Sequence, residues 1–349
     1  MYPKVHIHLK KYAHNVSYLL RLLHSRGISM MAVSKVFRAD PKLIDILNKE
    51  NVDYIADSRI QNLKNIISDK PKVLLRIPKI SEIADVIRYS DISLNSELEI
   101  IDLLNMEAKK RNKKHSIILM FDIGDLREGI YYKEDYIKIV KQITLMENIN
   151  LLGIGTNLTC YGAVIPTEET YLKLEGIIKN IESSLNIHLE MISGGNSSSL
   201  LMVNDQSIPK YINNLRIGEA LVLGRETAYG DPIEGLYDDV FLLEAEIIEI
   251  KNKPSMPEGI TGMDAFGKKV RFEDQGMITR AILSIGKQDV DCSNLIPPKG
   301  VIVLGCSSDH LIVELKNISL EIGDTITFKL NYGGILSVMT SPYVEKTYA

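Results

Sequence analysis

The amino-acid sequence predicts an α/β chain in which a (β/α)8 barrel of the TIM type is followed by a C-terminal all-β domain. Short apolar runs alternate with amphipathic stretches from about residue 28 to residue 225, which is the pattern of parallel strands covered by helices. Eight such units fit a closed barrel better than an open doubly wound sheet. After Gly230-Asp-Pro-Ile-Glu-Gly235 the apolar runs are separated by Gly, Pro and Asp turns, which is typical of an all-β domain.

The barrel strands are predicted from their apolar and β-branched residues. Helical stretches follow them, as at Pro41–Asn48 and Thr170–Leu185. The first strand lacks a following GxGxxG motif, which disfavours a dinucleotide-binding fold. The eight predicted strands lie near Met30–Ser34, Asp53–Ala56, Val73–Arg76, Ile92–Leu94, Ser116–Asp122, Leu151–Thr156, Leu189–Ile192 and Leu215–Ile217.

The β domain is predicted over residues 236–349, after a barrel domain over residues 10–230. An N-terminal strand within residues 1–9, at Val5–Leu9, is expected to pair with the β domain, because it precedes the first barrel unit. The remaining strands of this domain are predicted at Phe241–Lys251, Met277–Ile285, Val301–Leu304, His310–Leu315 and Thr325–Leu330.

Composition excludes several classes of protein. The net charge of -4 is spread over interspersed acidic and basic residues, so a nucleic-acid partner is not expected. The three cysteines have no CxxC spacing, which favours reduced thiols and no metal site. No apolar run reaches membrane length, and no signal peptide is recognised. We therefore expect a cytoplasmic protein with no membrane partner.

Three strand-to-loop junctions carry the residues that indicate chemistry. Lys35 ends the first barrel strand, Gly194–Ser199 follow the seventh and Arg216–Glu219 follow the eighth. In barrels of this type the last two loops commonly bind a phosphate through backbone amides. A partly desolvated lysine is nucleophilic toward aldehydes. Pyridoxal 5'-phosphate carries both an aldehyde and a phosphate, so this one cofactor accounts for the residues at all three junctions.

Several longer runs strengthen this interpretation. Over nearly its whole length the chain resembles the fold-type III pyridoxal-phosphate enzymes, the alanine racemase superfamily. The runs that carry the resemblance are Ala56-Asp-Ser-Arg-Ile-Gln-Asn-Leu-Lys64, Gly124-Asp-Leu-Arg-Glu-Gly129, Asn157-Leu-Thr-Cys-Tyr-Gly-Ala-Val-Ile-Pro166, Ser193-Gly-Gly-Asn-Ser-Ser-Ser199 and Ser307-Ser-Asp-His310.

The resemblance implies a role for each matching residue. Lys35 corresponds to the lysine that bonds to the cofactor and serves as one catalytic base. Arg216 corresponds to the arginine that faces the pyridine nitrogen. Arg127 corresponds to an arginine near the substrate carboxylate, although an ordinary salt bridge with Asp122, Asp125 or Glu128 is the alternative. The remaining cofactor-binding residues are expected to be Asn157, which replaces the family's histidine, with Asn196, Ser197, Gly218, Glu219 and Tyr343.

The second catalytic base is where the chain departs from the resemblance. Alanine racemases place a tyrosine there, and the matching position in this sequence is Phe266. A phenyl ring carries no exchangeable proton. Asp264 is therefore the first candidate, and Asp309 and His310 are the next; Asp309 is also expected to contact the substrate.

The resemblance implies an amino-acid racemase that interconverts L- and D-ornithine by two-base proton transfer at Cα. The alternatives are a racemase for lysine, arginine or alanine, a D-threonine-aldolase-type lyase, and a pyridoxal-phosphate-binding homeostasis protein. The lyase requires a metal, for which the sequence offers no convincing ligand cluster. The resemblance also implies a head-to-tail homodimer in which each β domain completes the active site of the other subunit.

Overall fold

The computed structural model describes residues 2–264, 266–267, 269 and 271–349. These residues form two compact units. The barrel unit runs from Lys10 to Asp238, and the sheet unit combines Asp239–Ala349 with the N-terminal segment that ends at Leu9. That segment contains strand β1 (Lys4–Ile7). Within the described ranges, no helix combines the length and the apolar character that a membrane span requires.

The barrel unit, all of which is described, is built on parallel strands. They are β2 (Ser29–Val33), β3 (Tyr54–Asp57), β4 (Lys72–Leu74), β5 (Ile92–Asn95), β6 (His115–Asp122), β7 (Ile130–Tyr131), β8 (Ile149–Thr156), β9 (Met191–Ser193) and β10 (Asn214–Ile217). All except β7 form one ring, in which β10 pairs with β2 and β5 pairs with β6. The predicted closed barrel is confirmed, and the predicted strand ends lie within two residues of the observed ones.

Helices surround this ring. They are α1 (Leu9–His24), α2 (Pro41–Lys49), α3 (Ile60–Asn65), α4 (Ile83–Tyr89), α5 (Leu98–Lys110), α6 (Ile137–Thr144), α7 (Glu168–Leu185), α8 (Leu200–Asn204) and α9 (Glu219–Leu223). Their ends follow local rules. Asp40 caps α2 by accepting a hydrogen bond from the backbone N–H of Lys42 at 3.0 Å, and Pro41 occupies the first helical position, where its missing N–H is not needed.

The interior of the ring is apolar. Residues two apart on a strand point to the same face, so Met31 and Val33 of β2 share one packed core with Ile118 and Met120 of β6. The other buried members of this core are Ala56, Val73, Ile92, Leu94 and Met191. Because protein cores are closely packed, this core holds the carboxyl ends of the strands, and the loops that follow them, in one arrangement.

Gly153 permits a close approach between two strands of the ring. It pairs with Met191 of β9, and a Cβ at position 153 would lie 1.8 Å from the Met191 carbonyl oxygen. No side chain fits at that distance. The glycine is therefore required by the register of β8 against β9, and this register sets where Thr156 and Ser193 end their strands.

The sheet unit contains β1 together with β11 (Phe241–Pro254), β12 (Met277–Leu283), β13 (Leu295–Ile296), β14 (Val301–Cys306), β15 (Leu311–Leu315), β16 (Thr325–Leu330), α10 (Tyr332–Thr340) and β17 (Glu345–Tyr348). Strand β11 pairs antiparallel with β12 and β16. The expectation for the N-terminal strand is confirmed, since β1 pairs antiparallel with β11 and parallel with the C-terminal strand β17.

Helix α10 was not anticipated by the strand pattern. Asn331 caps it by accepting a hydrogen bond from the backbone N–H of Gly334 at 2.9 Å, and Ile335, Val338 and Met339 form its buried face. The helical spacing of these apolar residues was the available signal. The glycines of its first turn obscured that signal, and they are needed because a Cβ at Gly334 would lie 2.9 Å from the Asn294 carbonyl oxygen.

We expect Gly153→Ala to destabilise the protein by at least about 3 kcal/mol, because β9 must move away from β8 to admit the methyl group. The matched control is Gly176→Ala in α7, where an added Cβ meets nothing within 4 Å. This control should gain about 0.5–1 kcal/mol from helix propensity. Urea denaturation of both variants measures the difference, and equal stabilities would contradict the packing argument.

Candidate active site

Lys35 is separated from the end of β2 by one residue, Ser34, and lies in a single turn of 3-10 helix that spans Lys35–Phe37. Val36 and Phe37 are buried, and the Phe37 ring packs edge-on against Tyr12 at 5.6 Å between centroids. These contacts anchor the turn from which the lysine side chain projects. Burial lowers the pKa of the Lys35 ammonium below its ordinary value, which increases the fraction of free amine at neutral pH.

Asp57 is a buried acidic residue whose charge acts on Lys35, and no role was predicted for it from the sequence. It ends β3, is fully buried, and accepts a hydrogen bond from the Ser34 hydroxyl at 2.7 Å. Its other oxygen accepts from the Arg59 backbone N–H at 2.8 Å and the Asn62 amide at 3.0 Å. Burial raises the pKa of Asp57, against these hydrogen bonds, and the Asp57 charge in turn raises the pKa of Lys35. An acidic residue at the end of an apolar strand was the sequence signal.

Arg216 lies on β10, with only 4% of its surface exposed. Its Nη1 donates to the Ser193 hydroxyl and carbonyl, and its Nη2 donates to the Thr156 carbonyl and to Asn157 Oδ1, the last at 2.7 Å. All of these acceptors are neutral. Both Nη atoms are engaged, which leaves Nε as the donor for a further acceptor. Burial lowers the pKa of Arg216 to about 10, so the guanidinium remains protonated at neutral pH.

A chain of hydrogen bonds continues from Arg216 through Asn157 to Glu128. The amide Nδ2 of Asn157 donates to Glu128 Oε1, and the Glu128 carboxylate forms an ion pair with Arg127. Asp122 instead accepts backbone N–H groups of its own loop, and Asp125 accepts backbone N–H groups of the loop that follows β8. Arg127 is thus paired with Glu128, one of its three possible partners, and Glu128 was otherwise given no role by the sequence.

The loops after β9 and β10 meet at Ser197. Its hydroxyl oxygen accepts from the backbone N–H groups of Gly218 at 3.4 Å and Ala220 at 3.3 Å. The Ser198 hydroxyl is buried and has no hydrogen-bond partner among the described residues. The Glu219 carboxylate is engaged by Arg225 at 2.6 Å. Amides and hydroxyls at one point form an arrangement that suits a phosphate.

The loop after β9 is held in place from two sides. The hydroxyl of Tyr171 donates to the Gly194 carbonyl at 2.6 Å. The Asn196 amide donates to the Leu158 carbonyl at 2.9 Å. Gly195 has a φ of 139°, a conformation that side chains disfavour. The predicted residues Asn196 and Ser197 are therefore part of a rigid loop.

The remaining predicted residues lie in the sheet unit. Asp264 Oδ1 accepts from the Phe266 backbone N–H at 2.9 Å, and the Phe266 ring centroid lies 4.0 Å from the Lys287 ammonium. Asp309 and His310 are exposed in the loop between β14 and β15. Tyr343 is 70% exposed, and its backbone N–H donates to the Ser341 hydroxyl at 3.1 Å.

Comparison with known proteins identifies the family to which this chain belongs. Residues 7–226 match the family described as alanine racemase, N-terminal domain. The chain is 47% identical to an ornithine racemase of Acetoanaerobium sticklandii over 99% of both chains. It is 39% identical to a lysine racemase of Thermotoga maritima, over 100% of this chain and 99% of the relative.

Solved structures show the same fold at lower identity. An alanine racemase from Bartonella henselae with covalently bound pyridoxal phosphate matches with a TM-score of 0.76 and 19% identity over 100% of both chains. An alanine racemase from Bacillus anthracis matches with a TM-score of 0.75 and 14% identity, over 100% of this chain and 96% of the other. With its sequence and its fold in agreement, the chain belongs to the alanine racemase family.

Proposed function

We propose that this protein is a pyridoxal-phosphate-dependent racemase that interconverts L- and D-ornithine. One observation carries the proposal: the same barrel unit contains Lys35, whose pKa is lowered by burial, and Arg216, whose Nε remains as a donor. It also contains the Ser197 hydroxyl with the backbone N–H groups that converge on it. The substrate is inferred from the ornithine racemase that is 47% identical over 99% of both chains. Lysine is the second candidate, because a lysine racemase is 39% identical over the full chain.

The residues present fit the cofactor at three points. Lys35 offers an amine for its aldehyde. The hydroxyl of Ser197, on which the backbone N–H groups of Gly218 and Ala220 converge, and the backbone N–H of Glu219 offer donors for its phosphate. Arg216 Nε offers a donor for the ring nitrogen, and Asn157 supports that arginine. When bound, the cofactor supplies a conjugated ring that delocalises the electron pair left at the substrate Cα.

Arg216 determines how strongly the ring draws electrons. A guanidinium with a pKa of about 10 donates a hydrogen bond at neutral pH but does not transfer its proton. A cofactor ring nitrogen that accepted from Arg216 would therefore stay unprotonated, and electron withdrawal from Cα would be limited. This arrangement favours prompt return of a proton to Cα over longer reaction sequences, as racemisation requires.

Racemisation needs one acid/base group on each face of Cα. Lys35 serves one face, with an amine that burial makes available at neutral pH. Asp264 is our first candidate for the other face, and His310 and Asp309 follow. Arg127 binds the substrate carboxylate, for which its planar donor edge is suited. Tyr343 is proposed as a further hydroxyl for the phosphate.

We propose that the protein is a homodimer and that the candidates for the second base, which lie in the sheet unit, act on the active site of the partner subunit. The segment between β11 and β12 supports it, because this segment exposes large apolar side chains that a second copy would cover. They include Met256, Ile260, Met263, Phe266 and Phe272. We also place the enzyme in the cytoplasm, where free thiols such as Cys160, Cys292 and Cys306 persist.

The direct test incubates the cofactor-loaded protein with L-ornithine in heavy water. We expect optical rotation to decay as deuterium enters Cα, and the same assay with lysine, arginine and alanine ranks the substrates. A protein that binds the cofactor yet leaves the rotation of every basic amino acid unchanged would instead be a cofactor-binding homeostasis protein.

Lys35→Ala should lower racemisation by at least about 10³-fold, because the base on one face is lost. It should also abolish covalent attachment of the cofactor. Borohydride reduction followed by peptide mass mapping measures the attachment. Lys179→Ala, at an exposed lysine paired with Glu175 on α7, is the control and should retain both properties. Cofactor reduced onto a different lysine in the unmodified protein would contradict the assignment.

Asp57→Asn should lower the pKa of Lys35 further, since it removes a negative charge that favours the ammonium form. The amine of the cofactor-free variant then reacts at lower pH. Competitive labelling of Lys35 with acetic anhydride across pH, read by mass spectrometry, measures this shift. Asp102→Asn on α5 is the control. An increase in the Lys35 pKa of Asp57→Asn would refute the electrostatic role.

Asp264→Asn should reduce racemisation by about 10²–10⁴-fold while the cofactor absorbance is retained. The asparagine Oδ1 can still accept the Phe266 backbone N–H, so the local turn is preserved. Because Lys35 still serves its own face, one enantiomer should exchange its α-proton with solvent without inversion. Near-normal turnover would remove Asp264 from the mechanism and direct the same substitution test to Asp309 and His310.

A further inference from the structure

Glu128 occupies a position between two arginines that the proposed function assigns to different tasks. Its two carboxylate oxygens bind Arg127 through Nε and Nη2, the latter at 2.6 Å. This pairing engages one edge of the guanidinium and leaves Nη1 for another acceptor. The Arg127 side chain is 41% exposed, so without this pair it would sample several rotamers. The ion pair therefore limits the directions in which the remaining edge can point.

The same carboxylate determines which way the amide of Asn157 faces. A guanidinium has donors only, so Asn157 must present Oδ1 to Arg216. Its Nδ2 then needs an acceptor, and Glu128 Oε1 provides one. Asn157 is buried, with 7% of its surface exposed, and a buried amide with an unpaired donor would be unfavourable. Glu128 thus stabilises the orientation in which Asn157 binds Arg216.

Asn157 also keeps the carboxylate away from Arg216. The acceptors of Arg216 are neutral, and the charge of Glu128 acts on the guanidinium through one intervening amide. A direct ion pair would be strong enough to reorient the guanidinium and occupy its donors. The intervening amide leaves Nε available and still provides a negative charge near a buried positive one.

We propose that Glu128 is a positioning residue that orients Arg127 for the substrate carboxylate and, through Asn157, holds Arg216 for the cofactor ring. This inference rests on the proposed function. It implies that binding of the substrate carboxylate is coupled to the orientation of Arg216 toward the cofactor ring nitrogen, because both depend on the Glu128 side chain. A substrate carboxylate that binds Arg127 weakens the hold of Arg127 on Glu128 and strengthens the hydrogen bond that Asn157 donates to Glu128.

Three variants separate the contact of Glu128 with Arg127 from its contact with Asn157. In Glu128→Gln the side-chain oxygen can still accept from Asn157. The NH2 group that replaces Oε2 cannot accept from Arg127 Nε, and the negative charge that pairs with Arg127 is lost. In Asn157→Ala the contact with Arg216 is lost and the ion pair with Arg127 remains. In Glu128→Ala the contacts of residue 128 with both Arg127 and Asn157 are lost. Glu107→Gln is the matched control, since it breaks an ion pair between Glu107 and Arg111 on α5, outside the site.

The measurements use the cofactor-loaded protein. The first is the dissociation constant of 5-aminopentanoate, which carries the carboxylate and the distal ammonium of ornithine without its α-amino group. We expect calorimetry to show binding weakened about tenfold or more in Glu128→Gln and Glu128→Ala, and little changed in Asn157→Ala and Glu107→Gln. The KM for ornithine should rise in parallel, with a smaller change in kcat for Glu128→Gln.

The second measurement is the visible absorption spectrum of the bound cofactor together with its dissociation constant. Both should change in Asn157→Ala and Glu128→Ala and stay near the unmodified values in Glu128→Gln. The double variant Glu128→Ala/Asn157→Ala should change the spectrum no more than Asn157→Ala does. Purely structural damage would instead lower the melting temperature of Glu128→Gln and alter both measurements together.

Two different failures can be told apart. If the unmodified protein binds the cofactor but racemises no amino acid, the proposed function is wrong. If it racemises ornithine while Glu128→Gln binds 5-aminopentanoate normally, or while additive spectral changes appear in the double variant, the positioning role of Glu128 is overturned and the proposed function stands.

Discussion

The buried guanidinium of Arg216 is the constraint on which the site depends. A charge in a low-dielectric interior is stable only when its donors are satisfied, and its acceptors Ser193, Thr156 and Asn157 come from the ends of β8 and β9 or the residue that follows β8. The three strands must therefore keep their register. Gly153 permits that register, so a glycine inside the ring and an arginine at its edge belong to one arrangement.

Neutral acceptors make this arginine useful as well as stable. Carboxylates bound directly to it would occupy its donors, whereas carbonyl, hydroxyl and amide oxygens hold it in place and leave Nε available. The pKa of Lys35 reflects two opposing effects, since burial lowers it and the negative charge of Asp57 raises it. The barrel unit thus contains one charge that must stay protonated and one amine that must lose its proton readily, and burial acts on both.

Much of this could be predicted because the signals are local. The apolar runs and their spacing indicate a closed barrel, and Lys35 and Arg216 stand at strand-to-loop junctions that the sequence marks clearly. Helix α10 was harder, since the glycines that pack against Asn294 resemble a turn. Among the three carboxylates near Arg127, only the loop conformation selects a partner: Asp122 and Asp125 bind backbone N–H groups, which leaves Glu128.

The sequence by itself determined the order of strands and helices and the residues available at each strand end, because side-chain periodicity and helix caps are properties of neighbouring residues. The tertiary structure alone decided that Glu128 reaches Arg216 through Asn157, and that Asp57 lies close enough to raise the pKa of Lys35. These interactions join residues 22 to 59 positions apart. Their distances depend on how the ring closes, which no local pattern records.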